Sequence, residues 1–480
     1  RQCRGRGIFY LSGMIAVWCI SCLGLGGGGP AAGGPEANEQ RVFFVATTGS
    51  DFNPGTEEKP WRTIGHAARR LPPGSTVYVR GGRYREKIVV RVSGNTEDGL
   101  VTFTHYHGEQ VLIDGAGLPP PVGVNGDNII SIENRSHVEI RGFEIAGARV
   151  RDGSGIRVSG RGRNIRLVGN IIHDIRGRDA MGITVYGTAA APLSGVVIEQ
   201  NEIYDCEPAD SEALTLNGNI DGFVIADNII RDVNNIGIDM IGGERWIGGG
   251  VVRNGVCRGN TVIRARDGNG TGFAAGIYVD GARNVIVEQN RVTGSDLGIE
   301  VGAENTAVTA TSITVRNNLI YRNEKAGLVL GGYTERAGRV TDSVFVNNTI
   351  AWNNTNSTYG EIWVQHASGT LVANNIVVST PGPDGKVILV SSIESAAAGT
   401  NTFASNLYYA SGSSNSPVLF QFDDAVFTDF SRYRQTTGRD THSIFADPLF
   451  QEASPRADGF RLGPRSPGRS RGRVLPESGT

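Results

Sequence analysis

Nine asparagines recur down the chain, each just ahead of a short apolar segment such as NIIHD or NIIRD. They are Asn170, Asn201, Asn228, Asn260, Asn290, Asn318, Asn348, Asn375 and Asn406, separated by 31, 27, 32, 30, 28, 30, 27 and 31 residues. A period of this length belongs to a chain that stacks one small structural unit on the next. Before each asparagine runs a strand whose residues alternate in and out, as in Val197-Ile198-Glu199-Gln200 and Val285-Ile286-Val287-Glu288. Short β-branched strands, turn-bound asparagines and the lack of a helical period predict an all-β fold, a right-handed parallel β-helix of about ten or more coils. The leucine spacing of a leucine-rich repeat is absent. The nine asparagines are therefore read as an internal structural ladder, each bonding to its equivalents above and below.

A second strand of each coil aligns as GIRVSG (155–160), GITVYG (182–187), ALTLNG (213–218), GIDMIG (237–242), GIYVDG (276–281), GIEVGA (298–303), GLVLGG (327–332) and EIWVQH (361–366). The second and fourth letters are nearly always Ile, Leu, Val or Met, so they face the core and the third and fifth point outward. One outward column is then Arg157, Thr184, Thr215, Asp239, Tyr278, Glu300, Val329 and Trp363. The next runs through Ser159, Tyr186, Asn217, Ile241 and Asp280. Paired strands lie about 4.8 Å apart, so acids, amides and aromatic planes should line an exposed face suited to a sugar polymer. Asp239, Asp280 and Glu300 fall on three successive coils. Like charges that close shift one another's pKa, which costs stability and invites a functional explanation.

Composition sets the remaining bounds. With 68 Gly and 7% aromatic residues the chain is poorly equipped for ordinary globular cores, and 46 basic against 48 acidic residues leave no global field to attract nucleic acid. Arg1, Arg4 and Arg6 ahead of the apolar run 8–25 read as a secretory signal, followed by a Gly/Pro/Ala-rich linker to about residue 40. A membrane anchor through this run, or a lipid on Cys22, is the less favoured alternative. The expectation is a secreted or cell-surface monomer, with no membrane span in the mature chain. Its β-helix domain covers 41–467 and a disordered tail 468–480. Trp61, Ile64, Ala67, Ala68 and Leu71 predict a helix over the open end of the stack, stopped by Pro72-Pro73-Gly74. Cys206 and Cys257 occupy different offsets in their repeats, so no disulfide between them is expected. The histidines are dispersed, and no nucleotide loop, serine elbow or zinc pattern is present.

The segment FVATTGSDFNPGTEEKPWRTIGHAARRLPPGSTVYVRGGRYRE (44–86) resembles the amino-terminal cap of secreted right-handed β-helix proteins of the pectate-lyase-like superfamily. The chain is nearest to the family-nine polysaccharide lyases. With the repeats, the resemblance spans roughly 42–462. It implies a calcium ion held by an acid on one coil and an aspartate cluster on the next, with a lysine removing the proton beside a uronate carboxylate. Those positions fall here on Glu212, Asn235 and Asp239 for the cation, with Ile236 unable to coordinate, and on Tyr278 for the base.

Three readings stay open at this point. A lyase cleaving an acidic, uronate-containing polysaccharide by β-elimination would use Glu212, Asn235 and Asp239 for calcium. Tyr278 would be its base, with Lys325 as fallback, and Arg245 or Arg283 would hold the carboxylate. Arg157, Tyr186 and Asn217 would contact substrate on the same face. An inverting glycoside hydrolase would use Asp239, Asp280 and Glu300 as acid and base. The third reading is a non-catalytic polysaccharide-binding or surface solenoid.

Overall fold

In the computed structural model the described residues are 41–469, apart from 269–271, 307, 333, 335–336, 358, 393–399, 411–417, 423–424 and 452–456. The expected leader and linker at 1–40, and the tail beyond 469, lie outside the described residues. Gly468 belongs to a 3-10 turn, Pro467–Arg469.

The chain winds as a parallel β-solenoid. Among the described residues three sheets of 15, 13 and 13 strands run its length, the strands pairing in parallel with their equivalents one coil on until a final antiparallel pair, Val418–Phe422 with Ala425–Phe427. The alternation read in the sequence is the alternation observed. In Leu193–Glu199, Leu193, Val196 and Ile198 are fully buried while Val197 and Glu199 are partly exposed. Inward Ile, Leu and Val from all three sheets build one continuous apolar column.

The ladder forms as anticipated and shows how it works. Asn201 Oδ1 accepts from the backbone N–H of Asn170 and from its side-chain amide, both at 3.0 Å. The Asn201 amide in turn donates to Asn228 Oδ1 at 3.0 Å and to the Leu167 carbonyl at 2.9 Å. The pattern repeats to Asn406, which is closed off by Ser443 and Asp440. Each asparagine thereby supplies donors and acceptors to backbone groups at a bend where strand pairing stops, and buried groups of that kind must find partners. A second, shorter ladder runs through Asn323 and Asn353 and ends on the buried carboxylate of Glu361.

The helical spacing after Trp61 yields a single turn, α1 (Ile64–Ala67), capped by the Thr63 hydroxyl. Leu71, expected inside it, lies beyond its end and is buried in the core all the same. A second helix that the repeat reading did not anticipate, α2 (Phe430–Thr437), starts at Asp429, which accepts from Arg432 N–H at 2.6 Å, and stops at Gly438 with φ 68°. Cys206 and Cys257 are both free and buried. Among the described residues no helix is long and apolar enough to cross a membrane.

Candidate active site

The site lies on the sheet formed by the second strand of each coil. Register confirms the first column residue by residue: Arg157 pairs with Thr184, Thr184 with Thr215, Thr215 with Asp239, Asp239 with Tyr278, Tyr278 with Glu300, Glu300 with Val329 and Val329 with Trp363. The second column runs in register from Ser159 through Tyr186 and Asn217 to Ile241, then breaks. There Ile241 bridges to Gly281 instead of Asp280.

Contrary to the expected solvent-facing wall, much of this face is sheltered. Thr215 is fully buried, Asp239 is 2% exposed, Asp280 3% and Tyr278 5%. Chain segments between coils account for the cover. Residues 242–251 leave the end of Ile236–Ile241, pinned by Gly242 donating to the Asp280 carbonyl and Gly243 to that of Gly250. Residues 266–268 leave the end of Thr261–Ala265 and are tied back by Gly268 to the Asn234 carbonyl, and Phe273 and Ala274 line the same side. Between them lies a cleft of about 530 Å³. Its acids include Glu212, Asp239 and Asp280 from the sheet and Glu244 and Glu304 from one side, with Asp210 and Asp267 completing seven carboxylates. Tyr186, Asn217, Asn235, Trp246 and Phe273 also line it. No Lys, Arg or His is among its described lining residues.

Burial without counter-charge sets the electrostatics. Desolvation pushes the Glu212 carboxyl up to about 8, with Glu304 and Glu244 adding to the rise. Glu300 is likewise pushed up to about 8 by burial and then by Glu304. Asp239 and Asp280 lie well above the ordinary carboxylate range, both first through burial, then Asp239 through Glu212, Asp280 and Glu304, and Asp280 through Glu304, Glu212 and Glu300. The two aspartates differ in their bonding. Asp280 Oδ1 accepts the Glu304 N–H at 2.7 Å, which favours its ionised form, whereas Asp239 Oδ1 has no partner.

These shifts carry a stability prediction. Glu212 and Glu300 release their protons near 4.5 when unfolded and near 8 when folded, so their contribution is complete below the unfolded value and drains away as pH rises toward the folded one. The thermal midpoint is expected to fall between about pH 5 and about pH 8, and Glu300→Gln should flatten that slope. Calorimetry across the range checks it; a midpoint rising with pH would contradict the burial described.

The remaining expected residues divide. Arg157 is buried and committed, its Nε to the Thr184 hydroxyl at 3.1 Å and its guanidinium to Asp152 at 2.7 Å, with Tyr186 under it at 5.1 Å. It fixes Tyr186 and does not line the cleft. Arg245 is exposed at the start of the turn Arg245–Ile247, between the lining residues Glu244 and Trp246. Arg283 does not belong to the site: it follows the turn at Gly281 and so starts a strand of a different sheet, Arg283–Glu288. Glu300 sits on the far side of Tyr278 from Asp239, outside the cleft lining. At Tyr278, the expected base, burial and then the neighbouring Glu300 and Asp280 hold the hydroxyl well above 10, which favours its protonated form. Lys325 lies with its Nζ over the Phe273 ring at 4.3 Å, at the edge of the cleft.

Comparison with known proteins places this architecture. The model of the Pel9A-like right-handed β-helix region matches residues 43–287, just over half of the chain. The chain belongs to this Pel9A-like family. Bacillus subtilis "uncharacterized protein YwoF" is 33% identical over 455 residues, covering 90% of this chain and 94% of that protein. "Pectate lyase PEL9" of Emericella nidulans is 34% identical over 93 residues, 19% of this chain and 22% of that one. Among solved structures, a Yersinia enterocolitica family 28 exopolygalacturonase superposes with a TM-score of 0.53 at 13% identity, over 80% of this chain and 77% of that chain. The fold is thus one shared by polysaccharide lyases and glycoside hydrolases.

Within this Pel9A-like chain the calcium set implied by resemblance is kept in part. Glu212, Asn235 and Asp239 do line one cleft, but Ile236 is the residue in register with Glu212, and an amide stands at a second position. Among the described residues no three His, Cys, Asp or Glu side chains converge as a metal site. Hard cations need several oxygens at once. Lining residues that escaped the sequence reading include Asp210, Trp246, Asp267, Phe273 and Glu304. The gap of 32 residues between Asn228 and Asn260 is the longest in the ladder and brackets Trp246, a signal of extra chain beside the acids.

Proposed function

We propose that this protein cleaves a polysaccharide by hydrolysis, with Asp239 and Asp280 as the reacting pair. The observation that carries this reading is the cleft itself: burial and neighbouring acids hold the Asp239 and Asp280 carboxyls well above the ordinary carboxylate range, with no cationic side chain among the described lining residues. A carboxyl that keeps its proton at neutral pH is a general acid, and a neighbour held ionised is a general base. Asp239, with its unpartnered oxygen, protonates the glycosidic oxygen as the bond to the anomeric carbon breaks. Asp280, oriented by the Glu304 N–H, takes a proton from the water that attacks that carbon. Tyr278 pairs with Asp239 across the ladder and Asp280 lies two residues further along its strand. That diagonal separates the two backbones by about 8 Å and sets both side chains on one face of the sheet.

One observation favours a second reading, elimination: the PEL9 relationship, together with Lys325 at the cleft edge as a candidate base. The protein should therefore be incubated with neutral, acidic and amino-sugar polysaccharides, with and without a chelator. New reducing ends without unsaturated sugars, insensitive to the chelator, are expected. Unsaturated products that disappear with the chelator would replace hydrolysis by elimination, and no cleavage of any glycan would leave a binding role.

A further inference from the structure

Resting on the reading of this cleft as a glycan-cleaving site, we propose that its substrate is a polysaccharide whose sugars carry free ammonium groups, a de-N-acetylated hexosamine polymer, in place of the uronate polymer implied by resemblance. The first ground is charge. Seven carboxylates face the cleft, and its described lining residues include no cation. A uronate would add another negative charge to that field, and each such contact would be repulsive. Asp210 is already paired with Arg178 at 3.4 Å, and an ammonium group supplies counter-charge to Glu212, Glu244 and Glu304.

The second ground is hydrogen bonding. Asn217 and Asp239 line the cleft at 3% and 2% exposure, and each carries an oxygen without a partner. The Asn217 oxygen is an acceptor in search of a donor, and the Asp239 carboxyl becomes one once its proton has left. An ammonium is donor-only, with three N–H groups, whereas a uronate carboxylate only accepts and would leave the Asn217 oxygen stranded.

The third ground identifies the cation as part of a glycan and not a free ion. Aromatic planes stand on both sides of the acids. Trp246 is 65% exposed and meets Tyr186 edge-on at 5.3 Å. In the other direction Phe273 gathers with Tyr359 at 5.8 Å and Trp363 at 6.4 Å. Tyr186 and Trp363 are six strand steps apart along the sheet. At the spacing of paired strands this is about 29 Å, long enough for several sugar rings. Exposed aromatic faces with polar edges suit the mixed surface of a sugar. A cation beside Glu212 would also favour its ionised form, so binding near neutral pH should release protons from the cluster.

Titration calorimetry of the full chain, with chelator throughout and in two buffers of different ionisation enthalpy, tests this with tetramers of glucosamine, N-acetylglucosamine and galacturonate. The glucosamine tetramer is expected to bind about ten-fold tighter than its acetylated counterpart, or better, and to release protons. The double variant E244Q/D267N should lose most of that preference, while Trp246→Ala should weaken both hexosamine tetramers alike. Equal affinity for the acetylated tetramer, tighter binding of galacturonate, or no binding of glucosamine would each overturn the proposal. Cleavage, scored separately, keeps the two readings apart. Tight glucosamine binding without cleavage removes the hydrolysis and keeps this inference, whereas cleavage of other glycans without an ammonium preference does the reverse.

Discussion

Replacing Asn260 by alanine is expected to lower folding stability by about 3 to 6 kcal/mol. The side chain is fully buried at the middle of the ladder. Its Oδ1 accepts the Asn228 backbone N–H at 3.0 Å and the Asn228 amide at 2.9 Å, and its own amide donates to the Ile225 carbonyl at 3.0 Å. Alanine strands all three groups in an interior that admits no water to replace the bonds. Each buried group left unmet costs about 1 to 3 kcal/mol. The matched control is Asn356→Ala, where an exposed amide reaches Glu324 at 3.3 Å and the loss should stay below about 1 kcal/mol. Denaturant midpoints of the two variants decide the matter. Equal, small losses would mean that the ladder is a by-product of the coil and not what holds its bends together.

The second large effect concerns chemistry. Asp239→Asn and Asp280→Asn should each lower the rate of glycan cleavage by about 10² to 10⁴-fold, the usual contribution of a general acid or base. Both replacements keep volume and remove charge from a repulsive cluster, so neither should unfold the chain. Two comparisons give the test its edge. Glu300→Gln should cost little activity, because Tyr278 separates Glu300 from Asp239. Tyr278→Phe should cost less than about ten-fold, because a hydroxyl held well above 10 favours its protonated form. A loss on Tyr278→Phe as large as that on Asp239→Asn would restore the tyrosine to the reaction and dismiss the carboxylate pair.

What the sequence revealed and what it hid follow from the same geometry. A strand period of two and a coil period near thirty are local facts, so the ladder from Asn170 to Asn406 and the column from Arg157 to Trp363 could be read before any coordinates. The break at Ile241 could not, because it depends on segment 242–251 peeling away at Gly242. Burial of Asp239 and Tyr278 was hidden for the same reason: strand alternation tells which way a side chain points, not what folds over it. Arg283 was misplaced because three residues past Asp280 look near in sequence, yet the turn at Gly281 sends the chain to another sheet. Trp246, Phe273 and Glu304 lie where the repeat is interrupted and pattern carries no information. The resemblance identified the coil correctly, and of the calcium positions it implied, Glu212, Asn235 and Asp239 line the cleft while Ile236 has no atom to coordinate with.

The central claim is that water, not a base-driven elimination, breaks the glycosidic bond in this cleft. Cleavage carried out in heavy-oxygen water, followed by mass analysis of the products, addresses it directly. The account predicts one solvent oxygen at each new anomeric carbon, with no product lacking the mass of water. Products that carry no solvent oxygen and are lighter by one water would contradict it.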